Sequence, residues 1–154
     1  MDKETFSCLA QECMGTMYRV AAAYLRSPQD RADAAQTALM KAWEKRDTLR
    51  EEQYFKTWLI RILIRECINL QKAYRGSVPL ENVPAPAEPP ADPALRDAID
   101  RLPTTLKVPV VLFYLEGCSI KETAKLLHLP QGTVRSRLFR ARKALCRALK
   151  EDIE

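Results

Sequence analysis

The stretch GSVPLENVPAPAEPPADP, residues 76–93, holds six prolines and three acids with few large apolar side chains. Proline lacks a backbone donor and locks φ, so such a run joins neither a helix ladder nor a core and reads as a semi-rigid acidic spacer. A chain of 154 residues interrupted there is expected to form two small domains, residues 1–75 and 94–154, joined by a linker over 76–93.

On both sides the apolar period is helical. Met17, Val20, Ala21, Tyr24 and Leu25 share one face; Ala35, Leu39, Ala42 and Trp43 share a second; Trp58, Leu59, Ile62, Leu63 and Leu70 share a third. Strand-type alternation is missing, so the expected fold class is all-α. Ser27-Pro28-Gln29-Asp30 reads as a capped helix start, serine accepting an orphan amide and proline taking the first helical position. In the second domain, Leu95, Ile99 and Leu102 predict a short helix ending near Pro103. Thr104 or Thr105 is placed to cap a helix through Leu115 that Gly117 breaks, and Pro109 inside it requires either a kink or a start as late as Thr105. Ser119 and Glu122 have capping-box spacing, and the helix they open carries Ile120, Ala124 and Leu127. After a turn at His128 and Leu129, Pro130 opens a last helix.

That last helix carries Arg135, Arg137, Arg140, Arg142 and Lys143 with no acid among them. A solvated helix normally interleaves its charges, because like charges at helical spacing repel, so this one implies an anionic partner. The net charge of +5 and a pI near 9.0 agree. On a helical wheel Val134, Leu138, Ala141 and Leu145 form one apolar stripe, with Ser136, Arg140, Lys143 and Arg147 opposite. A short helix, a tight turn and a second helix with Gln131, Thr133, Arg135 and Ser136 near its start make a helix-turn-helix, whose second helix enters the major groove. Arg135 and Arg137 suit base edges or phosphates, whereas Arg140, Arg142 and Lys143 suit phosphates. A merely solubilising basic face is the plainer alternative, which the turn chemistry and capping box disfavour.

Other classes are disfavoured by what the sequence omits. The start, MDKETFSCLAQEC, has no apolar core of a secretory signal, and no apolar run approaches the roughly 18–20 residues of a membrane span, so a cytoplasmic location is expected. Cys8, Cys13, Cys67, Cys118 and Cys146 contain no CxxC pair and have only His128 for company. They read as small buried hydrophobes in a reducing compartment, and no metal or cofactor is expected. No glycine-rich phosphate loop, Cys-His signature or carboxylate pair supports an enzyme such as a thiol hydrolase.

Two segments resemble a known family. LPTTLKVPVVLFYLEGCSIKETAKLLHLPQGTVRSRLFRARKAL resembles region 4 of the extracytoplasmic-function group of bacterial sigma factors, with its Leu-Pro start, Glu-Gly-x-Ser, Gly-Thr-Val-Arg-Ser-Arg-Leu and Arg-Ala-Arg. DRADAAQTALMKAWEKRDTLREEQYFKTWLIRILIRECINLQKAYRG resembles region 2, with Asp-x-x-Asp-x-x-Gln, Ala-Trp and Phe-x-Thr-Trp-Leu-x-Arg-Ile. The resemblance implies a region 2 helical bundle and a region 4 helix-turn-helix in an RNA polymerase specificity subunit. Such a subunit directs promoter recognition, DNA melting and transcription initiation for a stress- or envelope-responsive regulon.

Site roles follow from the same resemblance. Asp30, Asp33, Gln36 and Met40 match the helix that docks on the clamp helices of the polymerase β′ subunit, while Trp43 on that helix is assigned to the core. Residues 46–54, including Arg50, Gln53 and Tyr54, match the loop that captures a flipped base of the minus-10 element. Arg61, Arg65, Asn69 and Lys72 match the helix beside that loop, and Phe55 and Trp58 are aromatic neighbours expected in the core. Unstacking a base costs a few kcal/mol, which a closely fitting pocket recovers. Region 4 is implied to read the minus-35 duplex through Gln131, Thr133, Arg135, Ser136 and Arg137, with Arg140, Arg142 and Lys143 on phosphates. Lys107 and the residues up to 114 match the segment that holds the β flap. An anti-sigma factor, often membrane-bound, is a further implied partner, for which Phe139 on the polar side of its helix offers an apolar contact.

Four positions depart from the family pattern. Pro109 interrupts an ordinary helix, and His128 replaces a glycine in a turn that needs positive φ. Arg65 and Asn69 stand where asparagine and aspartate are common, so no base preference transfers. The competing reading is a free-standing helix-turn-helix regulator that binds duplex DNA without polymerase; Asp33, Gln36 and Met40, followed by an aromatic-flanked loop, favour the sigma factor.

Overall fold

A computed structural model describes residues 1–73 and 92–153. The proline-rich run, apart from Asp92 and Pro93, lies outside the described residues. The chain divides into two compact units, Met1–Ala85 and Pro86–Glu154, and no strand occurs among the described residues.

The first unit contains α1 (Lys3–Glu12), α2 (Met14–Tyr24), α3 (Pro28–Glu44) and α4 (Phe55–Ala73), with 3-10 turns at Arg46–Thr48 and Glu52–Tyr54 between the last two. The predicted apolar stripes do not include α1. Its signal is the spacing of Phe6, Ala10 and Cys13, all of them buried. The Asp2 carboxylate caps α1 by accepting from the Thr5 N–H at 2.8 Å, and hydrogen bonding from the Thr5 side chain and then its backbone holds the carboxyl below the ordinary carboxylate range. Phe6 meets Trp43 and Phe55 edge-on, with ring centroids 5.2 and 5.5 Å away.

α3 starts as its sequence predicts. Ser27 Oγ accepts from the Asp30 N–H at 3.4 Å, and Pro28 takes the first turn. The chain leaving α2 is tied down by side chains from other helices: Arg31 Nε donates to the Leu25 carbonyl and Gln71 Nε2 to the Tyr24 carbonyl, each at 2.7 Å. Those bonds satisfy carbonyls that a helix end otherwise leaves open, and they explain why Arg31 is buried.

The buried faces are rotated slightly from the predicted stripes. On α3 the deepest row is Ala34, Ala38 and Ala42, with Ala35, Leu39 and Trp43 half-buried beside it. Small side chains let α3 lie close against α4, and larger ones fit only at the flanks. On α4 the buried residues include Phe55, Leu59, Ile60, Leu63, Ile64 and Cys67, while Trp58, Ile62 and Leu70 sit at the edge. Phe55 is therefore a core residue, whereas Trp43 and Trp58, both assigned to the core, are only partly covered. Glu66 is also buried and pairs with Lys41 across the helix interface. Removing Lys41 would strand the buried Glu66 carboxylate, whereas the more exposed Lys41 could turn to solvent if Glu66 were removed.

The cysteines do not behave as one class. Cys13 and Cys67 are buried, and burial raises both thiols, Cys67 to about 12 with Glu66 adding to the shift. Contrary to the sequence expectation, Cys8 and Cys146 are exposed and Cys118 is partly so. Cys8 lies on the outer face of α1, and Cys146 lies outside the apolar stripe of the last helix.

The second unit contains α5 (Pro93–Asp100), α6 (Thr104–Val110), a π-helical turn (Val111–Leu115), α7 (Ile120–Leu127) and α8 (Gln131–Ile153). Asp92 and Pro93, read as the end of the linker, instead begin α5. Asp92 accepts from the Ala94 N–H at 3.0 Å and Pro93 occupies the first turn, where a missing donor costs nothing. Neither threonine caps α6: Pro103 holds the cap position without a side-chain bond, and Thr104 is already helical. The late-start alternative at Thr105 is thereby ruled out. Pro109 lies inside α6, and the ladder widens directly after it, with the Glu116 N–H donating to the Val111 carbonyl five residues back. Gly117 ends this segment at φ 72°, in the left-handed region. Ile99, Leu102, Val110, Ala124, Val134, Leu138 and Ala141 form the buried core of the unit.

Candidate nucleic-acid interface

The bihelical motif is fixed at both ends of α7. Ser119 Oγ accepts from the Glu122 N–H at 3.0 Å, and the Glu122 carboxylate accepts from the Ser119 N–H at 3.5 Å, completing the capping box. At the other end His128 adopts φ 55° and ψ 44°. The Leu129 N–H then reaches the Ala124 carbonyl at 3.0 Å and the His128 N–H the Lys125 carbonyl at 3.4 Å, the Schellman pattern. Leu129 packs against the core beyond this turn. Histidine thus takes the left-handed cap position for which glycine is usually favoured, a conformation that an L side chain adopts only with some strain.

α8 follows at once. The Pro130 carbonyl accepts from the Val134 N–H at 3.2 Å, so Pro130 is the cap rather than the first helical residue. Val134, Leu138 and Ala141 are buried and Leu145 is half-buried, which turns Gln131, Arg135, Ser136, Arg140, Arg142 and Lys143 to solvent. Thr133 and Arg137 are intermediate. Two of the cations are held in place: Arg142 Nη1 donates to the Tyr114 hydroxyl at 2.9 Å, and Lys143 Nζ stands 4.9 Å from the Phe139 ring centre. Phe139 and Tyr114 remain 52% and 48% exposed. The sequence offered no sign of the Tyr114 contact, which joins residues 28 apart.

In the first unit Asp33, Gln36 and Met40 form an exposed row on α3, Met40 at 60% exposure, with Asp30 partly buried at its start. In the loop before α4, Arg50, Gln53 and Tyr54 are exposed, and Gln53 donates to the Glu51 carboxylate. Arg46 opens the loop by stacking 3.8 Å over the Trp43 ring and donating to the Trp43 carbonyl at 2.8 Å. A cation at that point both satisfies a terminal carbonyl and offsets the helix dipole. Arg61, Arg65, Asn69 and Lys72 recur along one exposed side of α4. In the second unit Lys107 is partly buried on α6.

Residues 9–76 match the family described as Sigma-70 region 2, and residues 93–145 match Sigma-70, region 4. The ECF RNA polymerase sigma factor SigM of Mycobacterium tuberculosis is 31% identical, over 96% of this chain and 79% of that protein. The chain is an ECF sigma factor. Its function is that of the family, transcription initiation as a sigma factor. The RNA polymerase sigma-H factor of Pseudomonas aeruginosa is likewise 31% identical, over 96% of this chain and 88% of its own. Among solved structures, the sigma factor RpoE in complex with the anti-sigma factor NepR from Bartonella quintana superposes with a TM-score of 0.76, at 25% identity and 96% coverage of each chain. No helix among the described residues of this sigma factor is long and apolar enough to cross a membrane.

The Tyr114 contact gives a local test. Tyr114→Phe removes one hydrogen bond to a charged group at an exposed site, so affinity for duplex DNA is expected to fall about threefold without a change in melting temperature. Fluorescence anisotropy at fixed salt, beside a thermal melt, checks both halves of the expectation.

Proposed function

We propose that residues 1–75 of this sigma factor bind core polymerase and the opened minus-10 strand, and that residues 94–154 bind the minus-35 duplex. The observation that carries the division is that one chain has two unlike faces. The second unit has a capped bihelical motif with a basic helix. The first has an exposed acidic and methionine-bearing row on α3 and a cationic row on α4. A duplex reader needs only the former. The α3 row suits docking on the β′ clamp helices through Asp30, Asp33, Gln36 and Met40, and Lys107 lies in the segment suited to the β flap. Arg50, Gln53 and Tyr54, with Arg61, Arg65, Asn69 and Lys72, suit a flipped base and its strand.

On this reading the chain contributes recognition and strand opening while the polymerase supplies the chemistry, and it works in the cytoplasm. Exposed Met40, Tyr54, Tyr114 and Phe139 suit a silencing anti-sigma partner, such as the one in the RpoE complex. The spacer between the domains then acts as a tether. Two weak, salt-sensitive contacts on one promoter reinforce each other when the linker permits both at once.

Run-off transcription with bacterial core polymerase on a pooled promoter library tests this directly. The intact protein is expected to create defined start sites, and a variant with Asp33, Gln36 and Met40 all changed to alanine is expected to lose them at least tenfold while keeping its duplex affinity. Starts that survive in the variant would remove α3 from the polymerase contact. Duplex binding without core association or starts would instead favour a free-standing regulator.

A further inference from the structure

Between the C-terminal end of α3 and residues 58–66 of α4 lies a groove of about 370 Å³ lined by Lys41, Glu44, Lys45, Trp58, Arg61, Ile62, Arg65 and Glu66. Its charges are not equivalent. Lys41 is neutralised by buried Glu66, to which it donates directly. Lys45, Arg61 and Arg65 are exposed, and their side chains make no hydrogen bond or ion pair with the described residues. Glu44 is the one further acid on the rim, so the groove keeps an excess of positive charge. Trp58 and Ile62, both half-exposed, give it an apolar wall.

Position gives this cluster a meaning. Arg61 and Arg65 are one helical turn apart on the α4 face already assigned to the opened strand. Lys45 is the residue that caps the C-terminal end of α3 and immediately precedes the loop of residues 46–54. Three cations, two from α4 and one from the cap of α3, facing one channel beside a loop suited to an unstacked base have the arrangement that tracks a nucleic-acid backbone. We propose that this groove holds a backbone phosphate of the opened DNA strand and that Lys45, at the C-terminal cap of the polymerase-docking helix, is its third cationic ligand. Lys41, locked to Glu66, is a structural neighbour and not a ligand. The inference rests on the assignment of α4 to the opened strand and extends the DNA contact onto α3. One helix would then touch polymerase on one side and DNA on the other.

The test uses holoenzyme assembled from core polymerase and the full chain. The probe is a forked DNA with a duplex upstream arm and an unpaired minus-10 strand, cut from a promoter mapped by run-off. Lys45→Gln is expected to weaken binding three- to tenfold and to make the slope of log affinity against log salt shallower by about 0.7, the value for one single-strand phosphate contact. Lys45→Arg should restore both, and Lys3→Gln, which removes an exposed charge on α1, should change neither. Core affinity and the melting temperature should not move in any of the three. If Lys45→Gln behaves as Lys3→Gln while Arg61→Ala weakens the fork, the groove proposal is wrong and the α4 assignment stands. If Arg61→Ala and Arg65→Ala are also inert, the α4 assignment itself falls, and the groove falls with it.

Discussion

Leu138→Ala is expected to destabilise the second unit by about 2–5 kcal/mol, the range for truncating a buried leucine in a core that cannot collapse around the gap. Leu138 is 2% exposed and belongs to the cluster of Ile99, Val110, Ala124, Val134 and Ala141, which gathers side chains from α5, α6, α7 and α8. Losing it therefore loosens every element of the unit at once. A domain this small has only a few kcal/mol of stability to lose, so the melting transition should drop by on the order of 10–20 °C, and duplex binding at 37 °C should fail with it. The neighbouring residue supplies the control. Phe139, 52% exposed, is larger than Leu138 yet should cost less than about 1 kcal/mol as alanine, since it gives up mainly its stacking with Lys143. Thermal melts of the full chain followed by circular dichroism would separate the two variants, and equal melting temperatures would show that α8 does not face the core as described.

That contrast also marks how much of the fold was legible beforehand. The apolar stripe of α8 could be read because its period is strict and the residues between are charged; Val134, Leu138 and Ala141 are buried and Leu145 is half-buried. Capping chemistry was equally legible at Ser27, Ser119 and His128, where local spacing and backbone conformation decide the outcome. The stripe of α4 is read slightly off its true face because large apolar residues cover a broad arc of that helix and more than one row fits the period, and that of α3 because its buried row is alanine, which carries little hydrophobic signal. Where alanines predominate, close approach rather than side-chain size decides which row is buried. Pro93 was misplaced for a related reason: proline excludes a helix interior but favours a helix start, and only the Asp92 cap distinguishes the two.

The candidate site was legible in its chemistry and not in its couplings. The exposed cations of α8 and α4 follow from composition and period. The Tyr114–Arg142 bond, the Lys41–Glu66 pair and the Arg46–Trp43 stack depend on which helices lie together, and no local pattern encodes that. Those contacts sort the cations: the side chains of Arg142 and Lys41 have partners inside the protein, while those of Arg135, Arg140 and Lys45 have none among the described residues.

The same sorting leads to the second large effect, at the start of α8. Arg135 is exposed near the N-terminal end of the helix, whereas Arg137, two positions on, is partly buried. In a helix-turn-helix the exposed N-terminal residues of the second helix reach base edges, and a bidentate arginine contact is worth about 1–3 kcal/mol of discrimination. Arg135→Ala is thus expected to lower affinity for a matched minus-35 duplex about 10- to 100-fold while barely changing affinity for a scrambled one, so that the ratio of the two collapses. Arg140, farther along the exposed face, should behave differently. As a phosphate ligand, its change to alanine should weaken both duplexes by the same factor and make the log–log salt slope shallower by about 0.9. Anisotropy titrations of both variants on both duplexes at several salt concentrations distinguish these outcomes. If Arg135→Ala weakens the two duplexes equally, Arg135 is a backbone contact, and sequence reading passes to the uncharged Gln131, Thr133 and Ser136 beside it.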